Sequence, residues 1–257
     1  MTDKQLTPLD NPAWHALNGP HAIFAEGTAR VKRYRRGILP FAAWAGGDGS
    51  GPVDGDLHAW NEWIAPGEVF FLIGELPPLP EDWSLLADLP CAQMVGPAAV
   101  AERDAAGVVG RAAGTVGGAA ARKEGAAEII ALDVEDREEL YQLVQKVQPG
   151  YYERDTQQLG QYYGIQQEGR LVAVAGERLH PEGLTEISAV CTDPDYTGRQ
   201  YAQQLILQLC ADQLAQGGRS FLHVLETNTR AIRLYEYLGF TRRRSIVFHK
   251  LIRNGKP

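Results

Sequence analysis

Residues Thr185 to Ala202, TEISAVCTDPDYTGRQYA, constrain the fold more than any other stretch of the chain. They read as a strand, a turn at Asp193-Pro194-Asp195, and a second turn containing Gly198 that opens a helix. A helix that begins this way leaves its first backbone N–H groups without intrahelical partners, and those donors form an anion site. What flanks the stretch must therefore be a sheet that holds the strand and a core that buries the helix.

The rest of the chain can supply both. With 257 residues, of which 44% are hydrophobic, a large core is available in one or two domains. A net charge of −7 argues against nucleic acid as the main partner. Arg242, Arg243 and Arg244 form a local basic cluster beside the last strand, where a solvated edge is the simplest reading. Cys91, Cys191 and Cys210 are too scattered for a disulfide framework or a metal site, so they read as small core residues in a reducing compartment. No apolar run is long enough to span a membrane, and the first ten residues lack an apolar signal core, so a cytoplasmic protein is expected.

Three regions are expected along the chain. Residues 1–95 hold all five tryptophans and many Pro and Gly residues, and read as a small N-terminal α/β domain. Its candidate strands are Ala29 to Tyr34, Phe41 to Ala45 and Glu68 to Gly74, with Trp83 to Leu86 and Cys91 to Val95 as further apolar pieces. Residues 96–127 are dominated by Ala and Gly and read as a linker. Residues 128–257 are regular: a strand at 128–132, a helix after Asp133 ended by Pro149-Gly150, and a short helix within 151–159. An antiparallel meander follows at 162–167, 171–179 and 184–192. Then come a helix at 200–216, a strand at 221–225, a helix at 229–238 and a strand at 245–251. The strand–helix–strand passage across 200–216 implies one parallel pair beside the meander.

Two motifs in this last region carry a resemblance. Thr197-Gly198-Arg199-Gln200-Tyr201-Ala202 is similar to the acyl-CoA loop of the GNAT superfamily of N-acetyltransferases, Arg/Gln-x-x-Gly-x-Gly/Ala. The run from Asn228 through Ala231, Leu234 and Tyr235 to Gly239-Phe240 resembles that family's second signature, Asn-x-x-Ala-x-x-Leu-Tyr-x-x-x-Gly-Phe. The phrase Gly176-Glu177-Arg178-Leu179 ahead of Thr185 to Val190 resembles a bacterial, FR47-like branch with an extra N-terminal domain. Thr197 and Gln200 depart from the pattern, and Arg199 can supply the charge that Thr197 lacks.

The resemblance implies an α/β (α+β) fold: a mixed, mostly antiparallel sheet flanked by helices, with the smaller N-terminal domain added. It implies transfer of an acyl group from acetyl-CoA (coenzyme A) to an amine of a small molecule or peptide, with no nucleic acid or membrane partner, and it leaves a homodimer open. Val190, Cys191 and Thr192 would lie along the pantetheine, with the Val190 or Cys191 amide facing the carbonyl oxygen. Thr197, Gly198, Arg199, Gln200, Tyr201 and Ala202 would hold the pyrophosphate. Asn228 would bond the cofactor or cap its helix, and Tyr235 would protonate the leaving thiolate. Glu186 is the expected general base, on one strand face with Ser188 and Val190, and Glu177 is its rival. A covalent route through Cys191 is not favoured, since the sequence places no partner histidine beside it. A non-catalytic acyl-CoA sensor and a structural module that has lost the cofactor remain alternatives.

Overall fold

The computed structural model describes residues 3–46, 57–100 and 127–255. Two short helices, α1 (Asp3–Leu6) and α2 (Pro12–Leu17), lead into strands β1 (Ala25–Gly27), β2 (Val31–Tyr34), β3 (Phe41–Trp44), β4 (Val69–Ile73) and β5 (Trp83–Val95). The second half runs β6 (Ile129–Leu132), α3 (Arg137–Val147), β7 (Tyr162–Gln167), β8 (Arg170–Glu177), β9 (Leu184–Thr192), α4 (Tyr201–Ala215), β10 (Arg219–Leu225), α5 (Thr229–Tyr237) and β11 (Thr241–Arg253). Within 151–159 the expected helix is one 3₁₀ turn, Thr156–Leu159.

The strands form one sheet in the order β1-β2-β3-β4-β11-β5-β10-β9-β8-β7-β6. The meander β7-β8-β9 is antiparallel and β9 pairs with β10 in parallel, as the strand–helix–strand passage requires. This mixed sheet with flanking helices is the GNAT acyltransferase fold.

The N-terminal half is woven into that sheet. The last strand, β11, lies between β4 and β5, and β5 lies between β11 and β10. One core cluster joins Leu9, Phe41 and Phe71 to Leu179, Phe221 and Phe248. The boundary expected at residue 95 therefore falls at the end of a shared strand, and the two halves share both sheet and core. Most of the Ala/Gly-rich linker, 101–126, lies outside the described residues.

β5 is a single strand of 13 residues, where the sequence suggested two apolar pieces split by Pro90. Pro90 is tolerated because it lies just beyond the β10 ladder, which covers Cys91 to Val95, and there only its carbonyl is used, accepting from the Glu226 N–H at 3.0 Å. Of the tryptophans, Trp44, Trp60 and Trp83 are buried in one core cluster on the N-terminal part of the sheet.

Helices cover both faces. α2 and α3 bury Ala13, Ala16 and Leu17, and Leu140, Leu143 and Val144, on one face. α4 and α5 bury Leu205, Leu209 and Tyr235 on the other. Apolar residues at helical spacing decide these faces.

Candidate active site

The site begins where two parallel strands part. β9 and β10 pair from Leu184↔Arg219 to Glu186↔Phe221 and no further. Beyond that point β10 pairs only with β5, and β9 only with β8. A cavity of about 870 Å³ occupies the split. Ile187 and Val190 line one side, Val224 and Leu225 the other, and α5 closes it with Asn228 and Tyr235.

A bulge shapes the β9 wall. Val174 faces Cys191 and Gly176 faces Ser188, so Ala189 and Val190 together oppose the single residue Ala175. Ala189 carries the strain, with φ of +51°. The bulge also breaks the alternation that would have put Glu186, Ser188 and Val190 on one face. Val190 packs with Ile187 on the α4 face, whereas Ala189 and Cys191 pack against α3.

The mouth is built from the turn before α4. Gly198 has φ of +80°, and Gln200, the N-cap of α4, has φ of +62°. Gln200 thus occupies a left-handed conformation that glycine adopts without steric cost. Its side chain makes no cap hydrogen bond, so the α4 N–H groups are left for a ligand. Arg199 lies 4.9 Å over the Tyr196 ring, and Arg230 lines the mouth from α5.

Of the residues expected to hold the cofactor, Val190, Thr192, Thr197 to Ala202, Asn228 and Tyr235 line this cavity. Cys191 does not line it. The bulge turns it into the α3 core, where burial pushes its thiol up to about 12. The Asn228 side chain accepts from the Ala231 N–H at 3.1 Å, so it caps α5 at the cavity wall. Tyr235 is buried, and burial pushes its phenol up to about 12.

The expected bases occupy different positions. Glu186 is fully buried beneath the split and bound on both oxygens. Arg178 donates from Nε at 2.9 Å and from Nη2 at 2.6 Å, and His223 Nδ1 lies 2.6 Å away. Burial alone would raise this carboxyl, but Arg178 and then His223 outweigh it and hold it down at about 2. Glu186 is therefore a bound counter-ion, and the free carboxylate expected of a general base is not what the fold provides. Glu177 lies outside the cavity lining, where its carboxylate accepts from the Gln161 N–H and from Gln213. Burial raises it, but its oxygens face α4 and the turn before β7.

Sequence reasoning did not bring together the floor of the cavity. Arg178, Tyr151, His223, Phe248 and Cys91 meet there, from five separate segments. Gln93 fixes the His223 tautomer. Its amide donates to Leu9 O at 2.8 Å and meets His223 Nε2 at 3.0 Å, so Nε2 accepts and Nδ1 carries the proton toward Glu186. Only Arg178 stood inside a quoted motif, and nothing in that motif marked it as a cavity residue.

The FR47-like protein family matches residues 162–249, which span β7 to β11. A crystal structure from Novosphingobium aromaticivorans DSM 12444, described as a GNAT-family acetyltransferase, superposes with a TM-score of 0.78 at 29% identity. That likeness covers 96% of this chain and 99% of the other. A GCN5-related N-acetyltransferase from Kribbella flavida, 17% identical, has the same fold at a TM-score of 0.55, covering 95% of this chain and 96% of its own. No curated protein matches the chain.

Proposed function

From a GNAT fold whose C-terminal half carries an FR47-like match, we propose that this chain is an acyl-CoA-dependent N-acyltransferase acting on a small-molecule or peptide amine. One observation carries the reading. β9 parts from β10 after Glu186, and the opening leads straight to the free N-terminus of the 15-residue helix α4.

The residues present fit acetyl-CoA. The N–H groups at the start of α4 and the cations Arg199 and Arg230 suit its phosphates. The parted strands leave a slot whose wall carries Ile187, Val190 and Val224, matching an extended amide-bearing arm. When bound, acetyl-CoA supplies an acyl group activated as a thioester.

The chain's own residues then orient and stabilise. The bulge at Ala189 aims the Val190 backbone into the split, as a donor for the developing oxyanion. Tyr235, which lines the split, is the donor to the departing thiolate, and burial makes its phenol a weaker acid for that task. The amine loses its proton to water in the open cavity, because Glu186 is ion-paired and Glu177 is out of reach. The Arg178–Glu186–His223 group instead fixes the floor on which the acceptor rests. Three free, buried cysteines accord with a cytoplasmic protein, and among the described residues no helix is long and apolar enough to cross a membrane.

The test has two steps. Acetyl-CoA at about 100 times its Kd stabilises the folded protein by roughly 2.7 kcal/mol in a thermal melt. Thiol release is then followed across an amine panel. A melt shift without thiol release on any amine leaves a sensor, and no shift at all removes the reading.

A further inference from the structure

Among the described residues, every charged side chain lining the cavity is basic. Arg199 and Arg230 stand at the mouth, and Arg178 stands at the floor. The mouth cations have the cofactor phosphates to meet. Arg178 does not, because it lies on the far side of the split.

Arg178 is also a built feature. Its side chain is only 8% exposed, yet it lines the cavity. Its Nε and Nη2 are taken by Glu186, and Nη1 has no hydrogen-bond partner among the described residues. The guanidinium cannot swing away to find one. Phe41 packs against it at 5.1 Å, and Tyr151 and Phe248 each at 5.9 Å. Glu186 is held in turn by His223, and His223 by Gln93. A buried guanidinium with an idle donor, on a residue that lines a cavity, suits recognition of an oxyanion.

The spacing says which part of the reaction it serves. The Arg178 N–H bonds Glu186 O at 2.9 Å, so the two residues sit level, four positions before Val190. With the bulge taking up one residue, the three ladder positions between span about 10 Å. An acetyl group held at Val190 ends well short of that. A thioester carbonyl, an attacking nitrogen, and a carboxylate two or three bonds beyond it fill the gap. We infer that the acceptor is an amine that also bears a carboxylate, as an α-amino acid does, and that the idle Nη1 of Arg178 binds that carboxylate. This rests on the acyl-transfer reading above. Arg178 and Tyr151 also line a small adjoining cleft against α3.

The test compares matched acceptors with acetyl-CoA: leucine against leucinamide, and phenylalanine against phenylalaninamide, followed by thiol release. A carboxylate preference of at least tenfold in kcat/KM is expected. Equal use, or preference for the amides, overturns the inference while leaving acyl transfer intact. A flat acceptor profile with succinyl-CoA far better than acetyl-CoA also overturns it, since the anion would then belong to the acyl chain. Arg178→Gln alone strands a buried carboxylate, so the variant used is Arg178→Gln with Glu186→Gln. This variant should lose the acid-over-amide preference, mostly through KM; a preference kept intact overturns the assignment. If acetyl-CoA binds but no amine reacts, the transfer reading fails, and melts with N-acetyl-leucine and its amide decide separately. Stabilisation by the acid alone supports the anion site, and equal or absent shifts overturn it.

Discussion

The mouth and the floor of the cavity are built on opposite principles. The mouth is built mainly from one continuous turn, Thr197 to Ala202, whose donors are backbone groups, and its cations, Arg199 there and Arg230 on α5, are exposed. The floor is assembled from side chains on β3, β5, β9, β10 and β11 together with Tyr151 and Arg178, all buried or nearly so. A backbone site tolerates substitution, since any residue brings an N–H. A side-chain site in a buried core does not, since each charge there needs its partner. The two ends should therefore respond very differently to the same kind of mutation.

The largest expected effect comes from emptying the floor of its anion. Glu186→Ala leaves Arg178 buried without a counter-ion, and breaking such a pair costs about 3–5 kcal/mol. Urea unfolding of the free protein measures it. Arg199→Ala at the mouth should stay within about 0.5 kcal/mol of the parent, because the residue is exposed and its partner is one aromatic ring. Similar losses at the two positions would end the contrast.

Next in size is Tyr235→Phe, at the wall between the two ends. Removing a general acid costs on the order of 100-fold in kcat, while the acetyl-CoA Kd should change little because the ring still packs against Phe240. Unchanged turnover would take the proton-donor role from Tyr235.

The contrast extends to acid. Beside the floor, His21 and His180 pack with ring centroids 4.9 Å apart, one from each half of the chain. Burial lowers His21 to about 3, with the neighbouring His180 adding to it, and burial lowers His180 to about 4. Both fold uncharged and both take up a proton on unfolding below about pH 6.5. Stability is thus fully present above that pH and falls as the pH drops toward 4, by up to about 1.4 kcal/mol per pH unit for each histidine. Glu186 extends the loss below about pH 4.5, since its folded carboxyl titrates only near 2. The double variant His21→Asn, His180→Asn should flatten the slope between pH 6.5 and 4.5 in urea titrations. An unchanged slope would place the acid sensitivity elsewhere.

How far the sequence could be read follows the same division. Strand and helix spacing located the meander, α4 and α5, because periodicity and turn residues are local. The mouth was legible for the same reason, down to Gly198 and Asn228. The floor was not. Nothing near Arg178 in sequence shows that Phe41 and Phe248 will flank it, 137 and 70 residues away. The role expected of Glu186 failed to anticipate the two partners that bind it, Arg178 across the β8–β9 hairpin and the distant His223. Its presumed companionship with Val190 missed a bulge that shows only when β8 and β9 are paired. The domain boundary failed likewise, since composition changes at residue 95 but the sheet does not end there.

The smallest effect tests the mouth by itself. Gln200 holds φ of +62° and Gly198 holds +80°, two left-handed residues in one turn, only one of them glycine. A non-glycine residue there carries about 1 kcal/mol or more of strain, partly offset because glycine loses more entropy on folding. Gln200→Gly should therefore stabilise the protein by about 0.5 kcal/mol. Gly198→Ala should do the reverse through backbone strain alone, because a Cβ at Gly198 meets nothing within 4 Å. If the mouth binds through backbone N–H groups, Gln200→Gly should leave the acetyl-CoA Kd within about threefold of the parent, since the Gln200 side chain makes no cap bond to lose. A tenfold loss would mean that the amide side chain itself contacts the ligand, and the mouth would then be a side-chain site like the floor.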